Sequence, residues 1–407
     1  MVTHQGAGED LPRHAKGSPV EVLQASLQLG LTSFGGPIAH LGYFNREYVQ
    51  KRRWLSAEEY AAFVSLCQLL PGPTSSQVGF LIGLRRAGIL GALAAWLGFT
   101  LPSAVLMYAF AILAPPAPGP LMQALLHGLM LTAVAVVSQA VWSMARSLCP
   151  DWQRATIALA AAALLAFHSN AVLQLLALAG GAIAGSIVCR RLKFAVIELP
   201  AVAHHRSAWM ALTVFGGLLV ALSALSVLAP HGPIALANIF YRAGAFVFGG
   251  GHVVLPLLQN ALVPGQWISN EGFLSGYGLA QVMPGPLFTV AAYLGAASAP
   301  TGASLPWPVL ALLAIFLPGL LLSLTGLSLW SQLQRVPTAL AMLAGVNAAV
   351  VGLLGAALCN PIAVTAIHSA FDAAVIILGF VLLQWRRVPP ILVAALCVAA
   401  SFALRVA

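Results

Sequence analysis

Residues 54–73 of this chain recur, at a constant offset of 213, as residues 267–286. Trp54-Leu55-Ser56-Ala57-Glu58-Glu59-Tyr60 runs into Cys67-Gln68-Leu69-Leu70-Pro71-Gly72-Pro73. Trp267-Ile268-Ser269-Asn270-Glu271-Gly272-Phe273 runs, at the same spacing, into Ala280-Gln281-Val282-Met283-Pro284-Gly285-Pro286. Eight of the twenty positions are identical, far more than a biased apolar composition supplies. Each copy ends in Pro-Gly-Pro inside an apolar segment, where neither proline donates a backbone N–H and glycine permits a sharp turn. The chain is an internal duplication with a helix break built into each copy.

The surrounding segments belong in a bilayer. The chain is 60% hydrophobic and 7% charged, against roughly a quarter charged for a soluble domain, and its mean hydropathy is +0.92. Its apolar runs are long enough, at about 20 residues, to cross a membrane as helices. Residues 1–19 contain Arg13 and Lys16 and no hydrophobic leader core, so no signal peptide is expected. Five scattered cysteines suggest neither a disulfide framework nor a CxxC metal site. The net charge of +9 fits cationic loops held on the cytoplasmic face rather than nucleic-acid binding. No Walker, Gly-x-Ser-x-Gly, HExxH or Cys/His pattern is present, so no catalytic residue, metal or cofactor is expected.

The pattern predicts an all-α polytopic membrane protein of two homologous halves in inverted topology. Each half has two broken segments, read as re-entrant hairpins, and about four transmembrane helices, with one extra linking helix between the halves. The expected division is a cytoplasmic tail (1–19), an N-terminal repeat (20–189), a basic linker with an inverting helix (190–232) and a C-terminal repeat (233–407). The first half breaks at Phe34-Gly35-Gly36-Pro37 and at Pro71-Gly72-Pro73, then spans near 88–113, 121–145, 154–168 and 171–189. Gly181 and Gly185 give the last of these a close-packing face. An extra span at 208–229 follows. The second half breaks at Phe248-Gly249-Gly250-Gly251-His252 and at Pro284-Gly285-Pro286, then spans near 307–330, 337–358, 362–383 and 389–404. With hairpins, all the lysines and arginines except Arg242 and Arg405 fall on the cytoplasmic side. Letting the broken segments cross would strand Arg46, Lys51, Arg52 and Arg53 outside. The N-terminus is then cytoplasmic, and the cation-free loop Asn260 to Asn270 and the C-terminus lie outside.

The breaks are the candidate site. A helix restarting after Pro73 presents the free N–H groups of its first turn and the positive end of its dipole, an arrangement that binds anions. Two inverted breaks meeting near the midplane are a recurring way to build a transporter site; the alternative is a pair of plain kinks. Gln68 and Gln281 precede the breaks and can bind a substrate oxygen or the freed carbonyls. Thr74-Ser75-Ser76-Gln77 is polar where Leu287-Phe288-Thr289-Val290 is mostly apolar, so the first half is expected to supply more contacts. Arg242 is an intramembrane cation whose guanidinium fork complements an oxyanion. His40 and His252 follow the glycine breaks as further candidates. Asp372 and His368 read as a proton-coupling pair or as packing. The Ser56–Glu59 spacing is a capping box, and Trp54 and Trp267 read as interfacial anchors.

Gly35-Gly36-Pro37-Ile38-Ala39-His40, Trp54-Leu55, the Cys67–Pro73 run, Gln77, Gly88 and Gly91 resemble the signature of the chromate ion transporter family. Phe248 to Gly251, Trp267 and Gln281 to Pro286 fit its second-half signature. The resemblance covers nearly the whole chain and is to the long, two-domain form. It implies a multi-pass inner-membrane protein that exports chromate, driven by membrane potential or secondary coupling, and confers chromate resistance. Sulfate is the natural competitor, a small-anion importer or exchanger the main alternative, and a membrane enzyme a weaker one. The implied partners are chromate, with sulfate as a second substrate, the lipid bilayer and, as an option, a second copy in a homo-oligomer; nucleic acid is not expected.

Overall fold

The computed structural model describes residues 17–113, 119–167, 171–190, 205–248, 251–300, 304–333, 335–385 and 388–406, and every regular element among them is helical. Most of the N-terminal tail and of the basic linker, and Gly249 and Gly250 in the third break, lie outside these residues.

Helix α1 (Pro19–Thr32) starts on Ser18, whose Oγ accepts the Glu21 N–H at 3.1 Å, and ends at Ser33. Gly35 and Gly36 turn the chain into α2 (Gly36–Phe44), which runs on through a π-helical stretch, Asn45–Lys51. Helix α3 (Ala57–Leu69) opens with the expected capping box, Ser56 and Glu59 exchanging two hydrogen bonds at 3.2 Å. After Pro71-Gly72-Pro73, α4 (Thr74–Leu113) has two limbs, separated by the non-helical Ala87 and Gly88. Helices α1 and α3 and the first limb of α4 have 13 or 14 residues each. At 1.5 Å per residue that is about 20 Å, short of the ~30 Å hydrocarbon core. Helices α5 (Pro120–Leu148), α6 (Trp152–Phe167) and α7 (Ala171–Val188) complete the first half, and α8 (His205–Ser226) links it to the second.

The second half repeats the order. Helix α9 (Pro233–Phe246) matches α1, and α10 (Val254–Leu262) matches the α2 segment. Helix α11 (Asn270–Val282) matches α3, and α12 (Val290–Ala297) matches the first limb of α4. Helix α13 (Pro306–Leu333) matches the second limb, down to Pro318 against Pro102. Helices α14 (Pro337–Ala357), α16 (Ala370–Trp385) and α17 (Pro390–Val406) match α5, α6 and α7. The span expected from 362 begins instead at 370, because α14 continues through a π-helical turn, Leu358–Ala363, and a short α15, Val364–Ala366. Ser369 then caps α16, its Oγ accepting the Asp372 N–H at 3.1 Å. The segments Thr74–Leu113, Pro120–Leu148, Arg206–Ser226, Pro306–Trp330 and Pro337–Ala366 are each long and apolar enough to cross a bilayer, and the protein is a multi-pass membrane protein.

The ends of the broken segments gather in two places. In the first, Arg86 pairs with Glu21 at the start of α1, Arg85 with Glu59 at the start of α3, and Glu47 with Arg52 and Lys51 after α2. Arg52 and Arg86 both lie over the Trp54 ring, at 5.3 and 5.1 Å, so Trp54 is buried beneath cations rather than turned to lipid. The buried Glu47 carboxyl is pushed up by desolvation, but its hydrogen bonds to Arg52 and Lys51 and their charges outweigh this and hold it below its ordinary range. In the second place, Trp267 before α11 packs on His231 before α9 and on Trp307 at the start of α13. These two places lie at opposite ends of the second limb of α4. Arg86 precedes that limb; Phe110, near its far end, meets Tyr293 of α12, and Gly295 in the last turn of α12 meets Trp307. The two halves are therefore inverted.

They are also interwoven. Helices α6 and α7 pack on α14 of the other half, and α16 and α17 pack on α5. Gly185 and Gly345 are in backbone contact: a methyl group at Gly185 would fall 2.7 Å from Gly345 Cα, so only small residues let α7 and α14 approach this closely.

Candidate functional site

Each Pro-Gly-Pro break is docked on the opposite half, in the same way. The Gly72 N–H donates to the Val247 carbonyl at the end of α9, at 2.7 Å. The Gly285 N–H donates to the Ser33 carbonyl at the end of α1, at 2.9 Å. Val247 and Ser33 are matching positions in the repeat. Both glycines adopt positive φ, +124° and +94°. A methyl group on Gly72 would sit 2.8 Å from Gly319 Cα, beside Pro318; one on Gly285 would sit 2.7 Å from Ser103 Oγ, beside Pro102. Glycine is required at both places by conformation and by space.

The two junctions differ in chemistry. Around Gly72 the opposite half offers Val247, Phe316 and Gly319, and Phe316 is sealed against Trp96 and Phe288. Gln77 closes this junction: its Nε2 donates to the Pro71 and Gly319 carbonyls, each at 2.9 Å. The Gln77 donors are thus spent on backbone, and its Oε1 has no partner. Around Gly285 the matching positions are Ser33, Thr100 and Ser103. His40 lies edge-on to Phe99, with ring centroids 5.3 Å apart, and against the Ser33 backbone; its Nδ1 and the Ser75 Oγ share a hydrogen bond at 3.3 Å. Ser33 Oγ, His40 Nε2, Ser76 Oγ and Thr100 Oγ1 are buried without a hydrogen-bond partner among the described residues. Gln281 Nε2, one turn before Gly285, is in the same state. Buried polar groups are normally paired, and this concentration of open hydrogen-bonding groups is what a polar ligand would satisfy. The first turn of α4, from Thr74, adds backbone N–H groups with no acceptor within the helix.

The other sequence candidates fall elsewhere. Gln68 is exposed on α3, whereas Gln281 is buried. Pro71, Gly72, Pro73, Pro284 and Pro286 are buried in the docked turns, and Pro37 lies at the start of α2. His252 follows Gly251 in a short 3₁₀ turn and shares a 3.0 Å hydrogen bond with the Tyr277 hydroxyl, through Nδ1. Arg242 is partly buried and lines a cavity of about 70 Å³ with Gln174, Asn238, Phe246 and Leu257, a lining that contains neither Pro-Gly-Pro. It makes no ion pair among the described residues. It lies on α9, the helix that ends at the Val247 carbonyl receiving Gly72.

Ser33, Thr100 and Ser103 escape motif reading because none lies in a break. A comparison of the halves exposes them: hydroxyl residues stand in the first half where the second has Val247, Phe316 and Gly319. The sequence reads Asp372 and His368 as a proton-coupling pair or as packing. In the structure, His368 precedes α16, and the side-chain partner of Asp372 is His127 of α5, at 3.0 Å.

A family model described as "Chromate transporter" matches the chain twice, over residues 20–186 and 234–402. A chromate transport protein of Pseudomonas aeruginosa is 30% identical over 84% of this chain and 80% of its own length. A probable chromate transport protein of Synechococcus elongatus is 28% identical over 92% and 91%. The corresponding figures for a chromate transport protein of Cupriavidus metallidurans are 27%, 90% and 89%. No solved structure matches the chain.

Proposed function

Because the chain belongs to the chromate transporter family, we propose that it carries chromate across the cell's inner membrane, outward, through the junction where the Gly285 break docks on α1 and α4. One observation carries this reading: the elements that meet there, α1, α2, α4 and α11, carry buried hydroxyl, imidazole and amide atoms without hydrogen-bond partners. Serine and threonine hydroxyls, an imidazole N–H and an amide N–H can all donate to the oxygens of a tetrahedral dianion, and the α4 N-terminus adds a favourable dipole. No aspartate or glutamate lies among these groups to repel it. Arg242, on the helix that ends at the companion junction, adds the positive charge that draws an anion into the low-dielectric interior.

The broken segments act as re-entrant hairpins, with the Glu21–Arg86 cluster at the cytoplasmic face and the cation-free Trp267 cluster outside. This leaves the N-terminus inside and the C-terminus outside, and keeps the repeats at 20–189 and 233–407 on either side of the inverting helix. An interior-negative potential favours outward movement of anions by about 2.3 kcal/mol per charge per 100 mV, twice that for a dianion. Export then needs no nucleotide hydrolysis, and lowering internal chromate gives the cell its resistance. Sulfate, of the same shape and charge, competes for the site.

Uptake of labelled chromate into everted membrane vesicles tests this. Accumulation should require an imposed potential, positive inside, and should fall with added sulfate. Uptake indifferent to potential, or no uptake beyond vesicles lacking the protein, overturns the proposal.

A further inference from the structure

His127, His368 and Asp372 form a cluster that the transport reading does not use. Their ligand atoms all lie within 4.8 Å of one another. His127 Nε2 and Asp372 Oδ1 are 3.0 Å apart, and the His127 and His368 rings face each other at 5.3 Å with their planes 21° apart. The cluster joins the halves, since His127 is on α5 and the other two are at the start of α16. Asp372 is held from behind: its Oδ2 accepts the His368 and Ser369 backbone N–H groups, both at 3.0 Å. That leaves Oδ1 directed at the imidazole. Capping α16 needs only Asp372 and Ser369; it explains neither histidine.

Among the described residues no lysine or arginine pairs with this carboxylate. Asp372 is buried, at 2% exposure, and is the sole acidic residue from 272 to the C-terminus. No lysine or arginine occurs in residues 87–145 or 336–385, the stretches that hold α5 up to its last turns and the whole of α14 to α16.

We infer that His127, His368 and Asp372 bind a borderline divalent cation of the zinc type, which ties α5 to α16 at the end of the molecule that carries Trp267. Two imidazoles and one carboxylate are a characteristic zinc donor set, leaving a fourth position for water. Ligands about 2.0–2.2 Å from such an ion stand roughly 3.3 Å apart, close to the present His127–Asp372 separation. The ion takes the place of the proton shared between Nε2 and Oδ1. The two backbone N–H groups on Oδ2 supply the outer support that metal-bound carboxylates usually have. His368, which is exposed, swings onto the ion as the third ligand and closes the site.

Isothermal titration of the full-length, tag-free protein in detergent with zinc chloride tests this, magnesium chloride serving as the hard-cation control. Saturable binding of one zinc per chain is expected, without magnesium binding. His368→Ala, an exposed substitution that leaves the cap intact, should weaken zinc binding at least tenfold, and His127→Ala should abolish it. His231→Ala, at the same end of the molecule but outside the cluster, should leave it unchanged. Absence of zinc binding, or binding that survives both His127→Ala and His368→Ala, overturns the assignment.

Discussion

Gln77→Leu removes the clamp at the apolar junction. In the native chain its amide nitrogen serves two buried carbonyls, Pro71 from its own break and Gly319 from the opposite half, both at 2.9 Å. Leucine keeps similar bulk but orphans the Pro71 carbonyl and takes from the Gly319 carbonyl, inside α13, the donor it has beside its helical one. A buried acceptor left without its donor costs about 1–3 kcal/mol and an ordinary hydrogen bond about 0.5–1.5 kcal/mol, so the two together should cost about 1.5–4.5 kcal/mol. Part of this is offset because the unpartnered Oε1 also leaves the interior. Gln77→Glu should do at least as much damage, since an ionised carboxylate donates nothing and brings a charge. In the second half the position equivalent to Gln77 is Val290, and the neighbouring Thr289 Oγ1 instead donates to the Pro286 carbonyl at 2.8 Å. Thr289→Val leaves the Pro286 carbonyl the Thr289 backbone N–H, at 3.0 Å, and should cost only about 0.5–1.5 kcal/mol. Unfolding of the purified variants in mixed micelles, followed by tryptophan fluorescence, measures the difference. A Gln77→Leu effect below about 1 kcal/mol, or one smaller than that of Thr289→Val, would refute the clamp.

Arg242→Gln should abolish chromate transport while expression and thermal stability stay near those of the parent, and Arg242→Lys should retain part of the activity; full activity in the glutamine variant would confine Arg242 to a structural role. The Glu47 carboxyl has a depressed folded-state value. Its stabilising contribution is therefore complete above its ordinary value of 4.5 and is lost as pH falls through the lower one. Protease cleavage in the 45–56 connector should rise below that pH in the parent, and should be high and flatter with pH in Glu47→Gln. In a background lacking the five cysteines, Pro264→Cys should react with an impermeant thiol reagent in intact cells, and Arg46→Cys only after the cells are broken; the reverse pattern would invert the proposed orientation.

Much of the architecture is legible in the sequence because it rests on covalent facts. The Pro-Gly-Pro triplets at 71–73 and 284–286 interrupt their helices through covalent structure alone, and apolar length and cation placement arrange the rest. The Ser56–Glu59 cap is equally local, and it forms as expected. The interweaving is not legible. Nothing in Gly72 or Gly285 alone says that each docks on the opposite half, because that depends on the ends of α1 and α9 more than 170 residues away. The same limit governed the site. Thr74 to Gln77 attract notice as a polar run, yet Gln77 is occupied by backbone carbonyls. Ser33 and Thr100, single hydroxyls in apolar helices, carry the open hydrogen-bonding groups. His127 could not be assigned to Asp372 from spacing, since folding alone brings α5 against α16.

Equilibrium binding of labelled chromate to the purified protein bears most directly on where the anion sits. Ser33→Ala with Thr100→Val, two small substitutions at the polar junction, should weaken binding at least tenfold without unfolding the protein. Ser223→Ala with Ser226→Ala, which alters hydroxyls bonded to Asn238 instead, should leave it unchanged. Undiminished binding in the Ser33/Thr100 variant would contradict a substrate site at the Gly285 junction.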